Sequence, residues 1–215
     1  MGTKFSTRVW VSVVGIASIF FGSKGYADTV ISVADFGLKP DTRENAVAYV
    51  QKAIEACRGK EPVTLVFPEG RYDFWPQYAH EKNYYETNTY DVFPKRLAML
   101  FEGLHNITVD GNGSQFVMHD RIQPITVENC DGVTLKNFSI DWDIPLTAQA
   151  RVTKVGSDFF EIEINVLESP YIIEDGKLVF VGEGWKSALG SMIEFESDTH
   201  FVVPGTGDLV LGRNW

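Results

Sequence analysis

A short unit recurs within residues 106 to 143, NITVDGNGSQFVMHDRIQPITVENCDGVTLKNFSIDWD, and it restricts the fold more than any other feature of the chain. Asn106-Ile-Thr-Val-Asp-Gly returns as Gly132-Val-Thr-Leu-Lys-Asn, so the apolar pair Ile107/Val109 reappears at Val133/Leu135. Within each unit apolar and polar residues alternate with the period of two that marks a strand. Gly, Asn and Asp between the units supply tight or left-handed turns. Strand and turn repeated at a fixed spacing wind into a solenoid, in which each coil buries its inward side chains against its neighbours. The expectation is an all-β core in the form of a parallel β-helix.

The segment from Met1 to Ala27 stands outside that pattern. Lys4 and Arg8 precede the apolar run VWVSVVGIASIFFG, and Gly25-Tyr-Ala27 places small residues where a signal peptidase reads. That run is short for a permanent membrane span. The segment therefore reads as a signal peptide cleaved after Ala27, giving a secreted or periplasmic protein without stable membrane insertion; an uncleaved anchor is the alternative. Cleavage removes three of the 19 basic residues and none of the 29 acidic ones, so the net charge moves from −10 to −13. Such a balance argues against nucleic acid or anionic lipid as partner, since both need a basic face. It suits a neutral carbohydrate better than a polyanion such as pectin. Cys57 falls in a helical stretch and Cys130 at the end of a coil strand, so each reads as a small buried hydrophobe, with a bridge between them left open. Four His and no paired Cys motif give no support to a structural zinc site, and no metal or other cofactor is expected.

Along the mature chain, ISVADFG at 31–37 reads as a strand ending in a turn, and Asp41 or Thr42 as the cap of a helix. Ala46, Val47, Val50, Ala53, Ile54 and Cys57 fall on one helical face and Gly59 closes it. VTLVFPEGRY is a strand stopped by Pro68 and turned by Gly70. Residues 73–95 hold one Trp, four Tyr and two Phe, too many rings for a plain turn. The segment is either an ordered loop packed on the coil exterior or the wall of a carbohydrate cleft, where Trp75, Tyr84 and Tyr85 would stack on sugar faces. AQARVTKV and FFEIEINV around a Gly-Ser-Asp turn form an antiparallel hairpin, and KLVFVGEG adds a strand. MIEFES and HFVV either continue this insertion or return to the coil.

The organisation expected is a signal peptide over 1–27, a cap over 28–72, an aromatic loop and first coil over 73–105 and parallel coils over 106–147. An antiparallel hairpin or small barrel over 148–191 and a continuation over 192–215 complete it. A solenoid of about two coils with no polar cap after Trp215 is expected to be the N-terminal part of a longer protein.

SIDWD at 139–143 is the string richest in chemistry. With Ile140 and Trp142 inward, Asp141 and Asp143 both face out, roughly 6.6 Å apart along the strand. Inverting glycosidases place two carboxyl groups roughly 6.5 to 9.5 Å apart, but any Asp-x-Asp strand meets that spacing, and solvated surface residues are the plainer reading. Laying FVMHD over IDWDI puts Phe116 under Ile140, Met118 under Trp142 and His119 under Asp143, with His119 and Asp143 both outward. His119 and Arg121 could then bind substrate hydroxyls beside Asp143, or be ordinary surface residues. Asp110 reads as turn chemistry. Asn106, Asn112 and Asn137 begin N-x-S/T triplets of the kind that turns produce by chance.

VADFGLKPDTRENAVAYVQKAIEAC followed by VTLVFPEGRYDF resembles the N-terminal cap shared by right-handed parallel β-helix enzymes of the pectate lyase superfamily. The order DFGLKPDTREN, TLVFPEGRYDF, NITVDGNGSQFVMHDR, LKNFSIDWD resembles, more narrowly, the exo-acting α-1,3-galactosidases of glycoside hydrolase family 110, over about residues 31 to 155. The chain has HDR at 119–121 where that family tends to HGR, which leaves His119 and Arg121 in place. The resemblance implies a right-handed parallel β-helix interrupted by small barrels. It also implies release of terminal α-1,3-linked galactose from blood group B-like glycans, with inversion and without a metal. It places the catalytic carboxylates on coils beyond residue 215, with Asp141 and Asp143 as weak candidates here. His119, Arg121, Asp143 and Trp75 are then substrate-binding candidates. A polysaccharide lyase, another β-helix glycosidase and a non-catalytic glycan-binding β-helix remain the alternatives.

Overall fold

The computed structural model describes residues 29–84, 94–204 and 209–210. Residues 1–27, expected to be a signal peptide, and Tyr85 lie outside the described residues. What is described is mostly β structure with one α-helix.

Strand β1 (Thr29–Ser32) ends earlier than its apolar pattern suggests. Ser32 accepts from the Ala34 N–H and Asp35 accepts from the Ser32 N–H, a reciprocal cap that turns Val33–Phe36 into a short 3₁₀ helix. Helix α1 (Val47–Cys57) buries Val47, Val50, Ala53, Ile54 and Cys57, the face expected from spacing. Its start differs. Asp41 accepts from the Arg71 N–H at 2.9 Å and Thr42 from the Glu44 N–H, while the orphan N–H of Val47 is taken by Asn45 Oδ1 at 3.1 Å.

Seven strands follow: β2 (Val63–Val66), β3 (Arg71–Phe74), β4 (His80–Lys82), β5 (Lys95–Glu102), β6 (His105–Met118), β7 (Gln123–Glu128) and β8 (Asp131–Trp142). β1, β2 and the first halves of β6 and β8 pair in parallel, with Val63, Ile107 and Val133 in one row and Leu65, Val109 and Leu135 in the next. β3 and the second halves of β6 and β8 form another parallel set, and β5 with β7 a third. The repeat seen in the sequence is the register itself: Met99 pairs Ile125 and Ile107 pairs Val133, the same separation along the chain in both parallel sets. At Asp110–Ser114 the register shifts, so Phe116 meets Ile140 at a shorter spacing along the chain. Gly111 permits this corner, because a Cβ there would lie 2.5 Å from Phe138 Cβ and 2.7 Å from the Asn137 carbonyl.

Inward residues of successive strands stack into one core. Phe67, Tyr72, Phe74, Phe116 and Phe138 pack ring to ring, Phe116 lying 4.7 Å from Phe67, 5.6 Å from Phe74 and 4.8 Å from Phe138. α1 lies against this core through its apolar face. Both cysteines are free. Cys57 points its thiol at the Ala53 carbonyl within α1, where burial pushes it up to about 11, and Cys130 bonds the Phe101 carbonyl across coils.

The aromatic stretch is less of a loop than its composition suggests. Asp73 and Phe74 belong to β3, and β4 pairs antiparallel along the edge of β5. Lys82 bridges Glu102 and Glu128 at 2.7 and 2.8 Å, and the Tyr84 hydroxyl donates to Glu128, so Tyr84 is tied to the coil wall.

From Arg151 onward every described pairing is antiparallel. β9 (Arg151–Val155) pairs β10 (Phe160–Glu163). β11 (Tyr171–Glu174), β12 (Lys177–Gly182) and β13 (Trp185–Ala188) form a meander. β14 (Ser191–Met192) pairs β15 (Leu209–Val210), and Phe195 bridges Val202. Residues 192–203 thus continue the antiparallel structure rather than returning to the coil. No helix among the described residues is long and apolar enough to cross a membrane.

Candidate functional site

One residue past the ends of β3, β6 and β8 the parallel ladder continues. The His119 N–H bonds the Phe74 carbonyl at 2.9 Å and the Asp143 N–H bonds the Met118 carbonyl at 3.1 Å. Side chains alternate along extended chain, so with Phe74, Met118 and Trp142 turned to the core, Trp75, His119 and Asp143 form the next outward level. The Trp75 and His119 rings stack at 3.8 Å between centroids and 10° between planes. The expected register of His119 beside Asp143 is therefore what the chain adopts. The expected exposure of His119 is not: the residue is 2% exposed.

The reason for its burial lies in its partners. Asp73, on the outward side of β3, is buried and takes the Arg71 guanidinium through Nε at 3.0 Å and Nη2 at 2.6 Å. His119 Nε2 lies 2.9 Å from the same Asp73 oxygen. Burial pushes the Asp73 carboxyl up, but the hydrogen bonds of Arg71 and His119 outweigh it and hold the group below the usual carboxylate range. Asp73 and then Asp143 hold the Arg71 guanidinium more firmly charged than usual, and burial opposes them. On the other side of the ring, Nδ1 lies 2.9 and 2.7 Å from the two Glu183 oxygens. Each ring nitrogen of His119 thus faces a carboxylate oxygen. That leaves no free nitrogen for a sugar hydroxyl.

Arg71 Nη2 reaches on to Asp143 Oδ1 at 2.7 Å, and Arg43 approaches the same oxygen at 3.8 Å. Asp141, the other weak catalytic candidate, is exposed and accepts from the Trp142 N–H at 2.8 Å, so the two aspartates of SIDWD have different neighbours. Arg121 is exposed and takes no part in this network. Asp110 accepts from the Asn112 N–H and from Asn137 across coils, the turn role expected of it. Of the four proposed substrate-binding residues, Trp75, His119 and Asp143 come together and Arg121 stands apart. Arg43, Arg71, Asp73 and Glu183 were not expected there. Arg71 and Asp73 could have been found, because RYDF alternates two polar outward residues with two apolar inward ones. Glu183 could not, since nothing in VGEGW says which surface that turn meets.

Among the described residues, His119, Asp143 and Glu183 offer ligand atoms within 4.8 Å of one another, the spacing that could hold a metal ion. Those atoms already have partners in the chain. Nδ1 faces Glu183 and Asp143 faces Arg71, so a cation would have to displace the Arg71 guanidinium and part Glu183 from the ring. The arrangement as it stands is a closed set of charges that fixes three coils, the loop before α1 and the β12–β13 turn to one another.

The family model described as GLAA-B beta-barrel domain I matches residues 148–215, which begins where the antiparallel structure begins. The chain is 60% identical over 189 residues to a protein of Bacteroides thetaiotaomicron named alpha-1,3-galactosidase B, covering 88% of this chain and 31% of that one. It is 36% identical over 169 residues to alpha-1,3-galactosidase A of Shewanella woodyi, covering 78% of this chain and 28% of the other. An alpha-1,3-galactosidase B of Phocaeicola vulgatus is 36% identical over 205 residues, 94% of this chain and 32% of its own. The resemblance is to glycosidases, and the chain spans about a third of the length of the curated relatives it matches.

Proposed function

We propose that this chain is the N-terminal portion of a secreted glycoside hydrolase of family 110 that releases terminal α-1,3-linked galactose from glycans of the blood group B type. The observation that carries this reading is the 60% identity over 88% of the chain to a protein named alpha-1,3-galactosidase B. The stacked parallel strands are read as the opening coils of a right-handed parallel β-helix, the segment from 148 as a small barrel inserted into it, and residues 1–27 as a signal peptide removed after Ala27.

The chemistry proposed is inverting hydrolysis, in which one carboxyl protonates the leaving oxygen while a second activates water on the opposite face of the sugar. Asp143 is a poor choice for either role, because its oxygen is committed to Arg71. Asp141 bonds its own strand. The pair that does the chemistry is accordingly placed on later coils, in the two thirds of the relatives' length that this chain does not span. The outward face near Trp75 and Asp143 contributes to binding the glycan, His119 supports it from behind, and the exposed Arg121 reaches the glycan separately from that cluster.

The test uses the full-length gene product with galactose-α-1,3-galactose and a branched blood group B trisaccharide, with the released sugar followed by NMR. Early appearance of β-galactose is the expected outcome. Release of α-galactose would reject inversion, unsaturated products from a polyanion would favour a lyase, and glycan retained without turnover would favour a binding protein.

A further inference from the structure

Two consecutive residues at the turn joining β12 to β13 bring the antiparallel segment against the coil. Glu183 places both carboxylate oxygens within 2.9 Å of His119 Nδ1, 64 positions away in the chain. Gly184 sits on the next coil residue, Asp120, so closely that a Cβ would fall 2.4 Å from its carboxylate, and its φ of +73° is one that side-chain-bearing residues avoid. Each half of the turn thus meets its own residue, one by charge and one by shape. The surface that receives it is fixed from below. Trp75 stacks on His119, Asp73 holds Nε2, and Trp142 Nε1 donates to the Asp120 carbonyl at 3.1 Å.

The antiparallel segment's buried residues among those described are Ser169 and Val179, whereas the apolar core cluster lies entirely in the coil and cap. A carboxylate reaching a ring that is 2% exposed, from a segment with so small a core of its own, has a value beyond local stability.

We infer that Glu183 is a positioning residue. By closing the polar stack Trp75–His119–Asp73 from the opposite unit, it seats the β12–β13 turn on the outward coil face and sets the distance between the antiparallel unit and Asp143. That distance is one dimension of the glycan site. The inference therefore rests on the proposed function for its catalytic consequence, though not for the seating itself.

The experiment uses the full-length protein and two variants, Glu183→Gln, which keeps the shape and removes the charge, and Gly184→Ala, which keeps the charge and disturbs the fit. Hydrogen exchange of residues 177–188 is expected to accelerate by about tenfold in each, with the amides of α1 and of 107–109 unchanged. KM for the trisaccharide is expected to rise by about three- to tenfold with kcat nearly unchanged, the pattern of a displaced binding wall. Unchanged exchange over 177–188, or faster exchange with unaltered KM, would overturn the inference. If the unmodified enzyme released no galactose, the proposed function would fail by itself. Exchange over 177–188 would then decide the seating.

Discussion

The coil and the antiparallel segment are both sheet structures, yet they solve the problem of burial in opposite ways. In the coil, strands followed by another strand have their inward side chains covered by it. Residues such as Leu65, Phe116 and Ile107 consequently reach 0% exposure. Val127 of β7 and Leu135 and Ile140 of β8, the last strands of their stacks among the described residues, stay exposed. In the antiparallel segment, strands pair with their sequence neighbours, and Val152, Val155, Ile173, Phe195 and Phe201 remain exposed. Local pairing closes hydrogen bonds and leaves faces open; stacking closes both. Stability should accordingly reside in the coil, and the other segment should take its orientation from the few contacts that join them.

Substitutions can break or sharpen this contrast. The largest effect is expected from Phe116→Ala, which removes a ring packed against Phe67, Phe74 and Phe138 and should cost about 3–5 kcal/mol in denaturant unfolding. The matching change Phe159→Ala, at a residue 47% exposed, should cost well under about 1 kcal/mol. Equal losses would show that the two regions do not differ as argued.

Asp73→Asn should come close behind, at about 3–5 kcal/mol, because Arg71 and His119 lose the anion between them. It should also alter the acid limb. The folded Asp73 carboxyl is held below the ordinary range, so its contribution is complete above a pH of about 4 and is lost as pH falls through the depressed folded value. A profile of unfolding midpoint against pH should therefore be shallower in the variant on its acid side. An acid limb as steep as in the unmodified protein would place the titrating group elsewhere.

Gly111→Ala tests the coil corner. The added methyl meets Phe138 Cβ at 2.5 Å, and about 1–3 kcal/mol of overpacking should follow. Smallest of all should be Glu174→Ala, which removes an exposed pair with Lys186 and should shift stability by less than about 0.5 kcal/mol. A larger loss there would mean that the meander depends on surface charge more than its open faces imply.

The recurring unit was legible because a stacked strand must present the same side-chain alternation to each neighbour, and the pairing of Ile107 with Val133 follows from it. The apolar face of α1 and the antiparallel hairpin at β9–β10 were legible for a similar reason, since periodicity is local. The start of α1 was not, because Asp41 and Asn45 chose distant and near backbone partners that spacing does not distinguish. At the site, alternation placed His119 beside Asp143 and wrongly set its ring in solvent. What buries it is a stacked indole, a carboxylate on a neighbouring strand, and Glu183 from a unit that begins after the coils.

Taken alone, the sequence determined which residues face the core and which strands lie over one another, because both follow from a period that each strand carries within itself. Only the tertiary structure decided that an outward histidine would be buried and that the antiparallel unit would sit on it. A charged side chain finds its partner through space, and no pattern along the chain records that distance.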